Sequence, residues 1–528
     1  MHPPLAATPA PGLRPLTFLA ASVAVLALAV GTMPGAEAKS PKPHTTRVSV
    51  TTGGFHPGHG SNHRQRAGER RTVSANGRFV VFEGYSPLVK GQKQLENQIV
   101  LRDRKLGTST LISKSSKGKK ANRSSYNPQI SANGRWVAFD SLATNLVPRD
   151  TNGVSDVFLH DTKTGATTRV SVDSAGKQVK GTHGSSAPSL SANGRYITYG
   201  SDAPGLAPGD SRGQQAYLYD RSRKKTELVS VGGDGVPMHS MDFTSVSADG
   251  NVVAFVSLHR SSNPQMYVRD RKARTTTTYL PDDRHRVYSP SVSSDGRSIA
   301  FRTAAPLDPR DTNRDEDVYV LDRRTGSHTL ASRSSAGRGG NGRSLDPTIS
   351  ANGRYVVFQS VATNLVAKDT NKASDVFRHD LRTGKTIRVS VRSNGKQITL
   401  NSYTGSINAN GQHVAFESYG SNVAKPTTGS WAQVYVRALD GKLPTLLAKT
   451  KKLASSVKPG KTLTIKTSGI AKGQKLTVRW KPSKGKALTR TVKVSKNRIK
   501  VKVPRRGTYT VTVTYDRFQL AKRTVRVR

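Results

Sequence analysis

One five-residue phrase returns seven times along this chain, and it narrows the available folds more than any other feature. Ser131-Ala132-Asn133-Gly134-Arg135 recurs at residues 74–78, 191–195 and 350–354. Degenerate copies begin at Ser247, Ser293 and Asn408, and successive copies start 46 to 60 residues apart. A fixed period of this length marks a repeat architecture in which each unit buries its faces against its neighbours. The best-matched pair, residues 131–172 and 350–391, shows the whole unit. Asn-Gly supplies the positive φ angles of a tight hairpin turn. Trp136-Val137-Ala138-Phe139 and Asp156-Val157-Phe158-Leu159 are β-prone apolar runs. Asp161-Thr162-Lys163-Thr164-Gly165 is a second hairpin turn, and residues 168–172 alternate as an outer strand. With the short segment before each Asn-Gly turn, such as Pro188-Ser189-Leu190, the unit has four strands.

Four-stranded units stacked radially leave only short edges, which is the β-propeller solution. The expected fold class is therefore all-β: a propeller of seven blades, or six if one unit is degenerate, followed by a small β-sandwich. The excess over the usual period of about 40 to 50 residues falls in two loops per unit, residues 142–155 and 173–187 in the best copy. Residues 45–50, Thr-Thr-Arg-Val-Ser-Val, repeat the outer-strand phrase ahead of the first unit and suit a closing strand. Residues 445–448 are a second candidate for that role.

The phrase Pro290-Ser291-Val292-Ser293-Ser294-Asp295-Gly296-Arg297 resembles the repeat of the TolB-like propellers, as do residues 128–135, 188–195 and 347–354 with Asn in place of Asp. The resemblance spans about residues 45–448. It implies a fold; propellers of this kind serve as adaptors, sensors and enzyme appendages alike.

Ahead of the repeats, Arg14, the apolar run 18–30 and Ala36-Glu37-Ala38 have the layout of a secretory signal peptide. The run is short for a membrane span of roughly 20 residues. The expected divisions are a signal peptide at 1–38, the propeller at 39–448 and a basic immunoglobulin-like sandwich at 449–528. The chain has no cysteine. Disulfides, thiolate metal sites and cysteine nucleophiles are excluded.

The formal net charge is +50, which favours polyanionic partners. Residues 449–528 hold 25 Lys or Arg and one acidic residue, Asp516. Their strand-like runs alternate apolar and cationic positions. Lys475, Arg479, Lys481, Lys493, Lys500, Lys502 and Arg526 are the expected polyanion-binding cations. The bland alternative is that they keep the protein soluble. Trp480 and Tyr515 suit the core of that domain better than ligand stacking.

Three loops carry oxygen side chains at alternate positions, a pattern suited to calcium, which takes about six to eight hard oxygen ligands. They contribute Asp150, Asn152 and Asp156; Asp311, Asn313, Asp315 and Asp317; and Asp369, Asn371 and Asp375. The same pattern also makes Asx turns that need no metal. Asp161, Asp322 and Asp380 stand at position 12 of each loop. A strand rise of about 3.3 Å per residue removes them from any such ion. A fourth copy, from Asp210, keeps the loop and loses its other carboxylates, which favours a structural role. His44, His56, His59 and His63 have metal-like spacing without a nearby carboxylate, and a loop is the simpler account. No nucleophile elbow, zinc-protease helix or phosphate loop occurs.

The sequence thus reads as an exported, non-enzymatic binding or scaffold propeller. Its partner would be a protein or an anionic envelope polymer, with the basic domain as anchor; calcium is the one cofactor the residues suggest. The competing reading is a propeller enzyme acting on an extracellular polysaccharide or peptide. Nonspecific nucleic-acid binding is expected in vitro from charge alone.

Overall fold

A computed structural model describes residues 42–50, 71–85, 88–89, 96–179, 184–258 without 212, 263–280, 285–424 without 422 and 432–440, together with strands at 65–66 and within 456–527. All belong to the compact unit Pro41–Arg528. The expected signal segment and residues 445–448 lie outside the described residues.

Among the described residues, seven antiparallel four-stranded sheets follow one another, and these are the seven blades. Blade 2 has the strands Ser125–Ile130, Trp136–Ser141, Asp156–Asp161 and Thr167–Arg169, from inner to outer. The inner strands of the other blades are Gln65–Arg66, Ser185–Leu190, Met241–Val246, Val287–Val292, Ser344–Ile349 and Ser402–Ile407. Blade 7 is completed by the other end of the chain. His44–Arg47 pairs antiparallel with Gln433–Ala438, in register Thr46↔Val436. The seven-blade count and the N-terminal closing strand are thereby fixed together.

The core of each blade forms where its second and third strands meet. In blades 2 to 7 an aromatic pair stacks there across the ladder, as Phe139 on Phe158 at 5.8 Å and Phe301 on Tyr319 at 6.1 Å. Such cross-strand neighbours hold a sheet in one register.

The repeated phrase is the joint between blades. Ser131 Oγ donates to Asn133 Oδ1 and accepts the Trp136 amide, which folds the turn on itself. The Ala132 amide donates to the Ala192 carbonyl of the next blade, and Ala75 donates likewise to Ala132. Gly134, at φ +74°, lies so close to the Phe79 ring of the preceding blade that a Cβ would fall 2.2 Å from it. Gly194 meets Trp136, Gly250 meets Tyr196 and Gly411 meets Tyr355 in the same way. Glycine is therefore required twice, by backbone conformation and by the neighbouring ring. Arg135 completes the phrase with a bidentate pair to Asp161, at 3.0 and 2.7 Å. Arg78–Asp103, Arg195–Asp220, Arg297–Asp322 and Arg354–Asp380 repeat it. The Arg135 hydrogen bonds hold the Asp161 carboxyl at about 2. Asp161, Asp322 and Asp380 thus serve the joint at the far end of their strands.

Beyond the propeller, Lys475–Pro482 pairs with Leu488–Lys493 and with Gly507–Tyr515, which pairs in turn with Phe518–Val527. Ser456–Val457 lies parallel to the last strand, and Thr462–Lys466 pairs separately with Arg498–Lys502. Val478, Trp480 and Val511 are buried, and Trp480 meets Tyr509 edge-on at 5.9 Å. This segment is all-β, and Trp480 belongs to its core.

Candidate binding face

Each blade has its Asn-Gly or Asp-Gly turn, and blades 1 to 6 their second hairpin turn, at one face of the ring, the turn face. The long loops, including the Asp-Thr-Asn loops, emerge on the other, the loop face. The turn face is taken up by blade-to-blade joints, which leaves the loop face and the channel between the inner strands as the candidate surfaces.

Arg71 narrows the channel between the inner strands. Arg71 stands where other blades place Pro128, Pro188, Pro290 or Pro347. Its Nη2 crosses the axis to the Val292 carbonyl of blade 5, at 2.8 Å. Burial lowers its pKa to about 10, so it remains charged at neutral pH. The void around it measures about 20 Å3 and is bordered by Gln129, Ser189, Ser245, Ser291 and Thr348. That volume suits a water molecule rather than a sugar or a peptide. Sequence reading missed Arg71; setting Arg71-Thr72-Val73-Ser74 beneath Pro128-Gln129-Ile130-Ser131 would have exposed it.

Around the mouth the loop face is apolar and aromatic. The residue just after the second strand is Tyr85, Leu142, Leu258, Val361 or Tyr419 in five of the blades. Leu258 is 46 % exposed and Val361 53 %. Tyr126, Tyr288 and Tyr403 stand half-buried near the loop-face ends of three inner strands. Tyr403 meets Tyr419 edge-on at 6.0 Å. Between blades 4 and 6 the face opens into a cleft of about 460 Å3. Its lining includes His285, Arg286, Tyr288, Arg302, Glu316 and Arg343. Arg302 lies over the Tyr288 ring at 4.8 Å, and Glu316 accepts from Arg302 at 3.0 Å and from Arg343 at 2.7 Å. Three arginines against one glutamate make this cleft cationic.

The Asp-Thr-Asn loops divide into two kinds. In blade 2, Arg169 lies between Asp150 and Asp156, at 3.3 and 3.0 Å. Asn152, Ser171 and Gln178 supply further hydrogen bonds to Asp156. In blade 6, Arg388 sits likewise between Asp369 and Asp375, at 3.6 and 3.2 Å, with Asn371, Ser390 and Gln397 around them. A guanidinium stands in both loops amid the oxygen atoms whose pattern suited either calcium or a metal-free Asx turn. Blade 5 has no such arginine, and Asp311, Asn313, Asp315 and Asp317 are arranged without one. In blade 3, Asp210 accepts the Gly205 and Ala207 amides and the Tyr217 hydroxyl, the structural role foreseen for it. Among the described residues no three His, Cys, Asp or Glu side chains gather as a metal cluster.

His160 and His379 are buried, each with Nδ1 on a threonine hydroxyl of the outer strand. Burial lowers both to about 4. His56, His59 and His63 lie outside the described residues, whereas His44 opens the closing strand. In the C-terminal segment Arg479 and Lys481 are exposed on either side of buried Trp480. The side chains of Lys475, Lys493, Lys500, Lys502 and Arg526 lie outside the described residues. No helix among the described residues is long and apolar enough to cross a membrane.

No family model matches this chain, and no curated protein does. Among solved structures it is similar to TolB from Acinetobacter baumannii, at 16 % identity and a TM-score of 0.36 over 60 % of this chain. The match spans 64 % of that TolB chain, under two thirds of its length. An oligogalacturonate lyase from Vibrio parahaemolyticus matches at 11 % identity and TM-score 0.45, over 75 % of this chain and 97 % of its own. The β-propeller domain of the Trilobed protease from Pyrococcus furiosus matches at 12 % and 0.44, over 68 % and 91 %. These likenesses concern the fold and leave function to the site.

Proposed function

We propose that this chain is an exported binding propeller that presents its loop face to a macromolecular partner while its basic C-terminal strands hold it at an anionic envelope polymer. The observation that carries the reading is the contrast between channel and face. At the level of Arg71 and the surrounding hydroxyls the void is about 20 Å3, the size of a water molecule. Around the mouth, Leu142, Leu258 and Val361 are exposed at one repeated position beside half-buried tyrosines. Exposed apolar side chains grouped with tyrosine and arginine are the composition of protein interfaces. Export rests on Arg14, the apolar run and the Ala36-Glu37-Ala38 step.

The test is co-sedimentation with isolated cell envelopes across a salt series. The full chain is compared with a chain ending at residue 448 and with a Leu142→Asp, Leu258→Asp, Val361→Asp triple variant. Loss of salt-sensitive binding in the shortened chain supports the anchor. Loss of salt-resistant binding in the triple variant supports the face. Full binding by both altered proteins sinks the reading.

A second reading, catalysis on an anionic polysaccharide, draws support from the cationic cleft beside Tyr288. Turnover of uronate-containing oligosaccharides, abolished by Arg302→Ala, would establish it.

A further inference from the structure

The repeats serve as their own controls, and one blade departs from the rest. The first residue of the third strand is Gln98, Gln215, Gln265 or Gln433 in four blades and Asp156, Asp317 or Asp375 in three. Each of these aspartates is buried. In blades 2 and 6 the charge is answered from the outer strand, by Arg169 opposite Phe158 and Arg388 opposite Phe377. The same register position in blade 5, opposite Tyr319, is Leu330. Gln178 and Gln397, which support the paired carboxylates of blades 2 and 6, correspond to Gly339.

Blade 5 has lost the cation and kept the acids. Asp317 accepts from Ser332 at 2.6 Å and from Asn313 at 2.8 Å, both neutral. Asp311 accepts the Tyr319 hydroxyl on one oxygen. Its other oxygen, Oδ1, is buried and makes no hydrogen bond of ordinary geometry, although Asp311 as a whole is only 8 % exposed. Of the arginines around the loop, Arg310 pairs with Asp308 and Arg302 and Arg343 with Glu316, while Arg314 within the loop has an exposed side chain. The loop has also gained Asp315, where the sister loops have Val154 and Ala373. A buried carboxylate answered only by neutral donors, with no counter-charge, is costly. Two of them at one loop, where a homologous loop seats a guanidinium, define a place for a cation.

We propose that the blade 5 loop is a calcium site, held by Asp311 and Asp317 with oxygen atoms of the loop between them, and that the ion stands where blades 2 and 6 carry their own arginine. A hard divalent ion matches carboxylate and amide oxygens, and two anionic ligands suit calcium better than a monovalent ion. With so few carboxylates the affinity falls on the order of 10⁻⁴ to 10⁻³ M, the range of extracellular modules.

The full chain, stripped with a chelator, is titrated with calcium chloride and followed by thermal melting and calorimetry, with magnesium and sodium chloride as controls. We expect one saturable site and a Tm that climbs by a few degrees with calcium and returns with chelator. Asp317→Gln installs the residue of four other blades, so it should fold; it should abolish the response without lowering the calcium-free Tm. Leu330→Arg supplies the guanidinium of the sister blades and should also abolish the response. If Leu330→Arg does not fold, Asp317→Gln decides alone. The proposal is overturned if the wild-type chain shows neither heat nor Tm shift with calcium. A calcium response that persists in Asp317→Gln, or one matched by sodium alone, overturns it equally.

Discussion

Glycine 134 carries two constraints that a composition table cannot separate, and a pair of substitutions separates them. Gly134 and Gly165 both have positive φ, +74° and +82°. A Cβ on Gly134 would strike Phe79, whereas nothing lies within 4 Å of one on Gly165. Gly165→Ala should cost about 1 kcal/mol, the strain of a left-handed alanine. Gly134→Ala adds the displacement of an aromatic ring and should cost roughly 2 to 4 kcal/mol. Chemical denaturation of both variants checks the ranking. Equal losses would mean that the turn does not bear on the neighbouring blade.

The buried histidines give a pH signature. Burial holds His160 and His379 neutral down to about 4, while in the unfolded chain they titrate near 6.5. Their contribution is complete above pH 6.5. Below it the unfolded chain takes up protons that the folded one refuses, so stability is lost as pH falls from 6.5 toward 4. Asp317 and Asp375, raised to about 6 by burial, work the other way over the lower part of that window. A His160→Gln, His379→Gln variant keeps the aspartates and removes the histidines. Its melting temperature should therefore fall less than that of the wild-type chain on acidification from pH 6.5 to 4. An unchanged pH dependence would refute the assignment. At this scale the joint residues were legible, because Ser, Asn, Gly and Arg recur in fixed order. Arg71 was not, because it breaks the pattern, and a repeat is recognised by the copies that agree.

At the scale of the blade, the sequence displayed strands and turns well and the inner strand poorly. Continuous apolar runs mark the second and third strands, whereas inner strands such as Ser185–Leu190 are short, polar and interrupted by proline. In the structure each of six inner strands shifts register midway, as between Tyr126 and Gln129. The residue before proline, Asn127, Ala187, Ser289 or Asp346, has φ near +50°. A residue before proline normally favours extended backbone, so no local rule announces this bulge. The Asp-Thr-Asn loops were legible as loops, but their alternate oxygens could not distinguish an ion from a guanidinium. The arginine that fills blades 2 and 6 comes from another strand, 13 residues beyond the aspartate it answers.

The closing strand belongs to this scale too. His44–Arg47 is the only outer strand of blade 7 among the described residues. Thr45 Oγ1 also donates to the Val391 carbonyl of blade 6, and Ser49 bonds Gln433 at 2.7 Å. Deleting residues 39–50 should leave the edge of Gln433–Ala438 bare and the ring unlatched. Exposed edges invite pairing with other chains. We expect a lower, less cooperative melt and aggregation at concentrations where the full chain is monodisperse. A deletion variant that melts unchanged would show that another segment closes the ring.

For the whole molecule the question is how a ring and a cationic tail divide the work of binding. The last 80 residues carry a net +24 of the total +50. Arg479 and Lys481 show the pattern by which a strand can present such charge, with Val478 and Trp480 buried between and beside them. Attraction of this kind is long-ranged and screened, with a Debye length of about 8 Å at physiological salt. Contacts by apolar and aromatic groups at the channel mouth are short-ranged and far less sensitive to salt. The two should therefore separate on a polyanion matrix such as heparin. A chain ending at residue 448 should elute at clearly lower salt than the full chain, while the Leu142, Leu258, Val361 variant should elute with the full chain. Exchange of Arg479 and Lys481 for glutamine should give an intermediate position, because each removes one of many cations and leaves the fold's core untouched. If the shortened chain elutes with the full one, the cationic cleft of Arg286, Arg302 and Arg343 becomes the main polyanion contact. The tail would then be reduced to solvated charge, and the anchor reading would fall while the reading of the loop face stood.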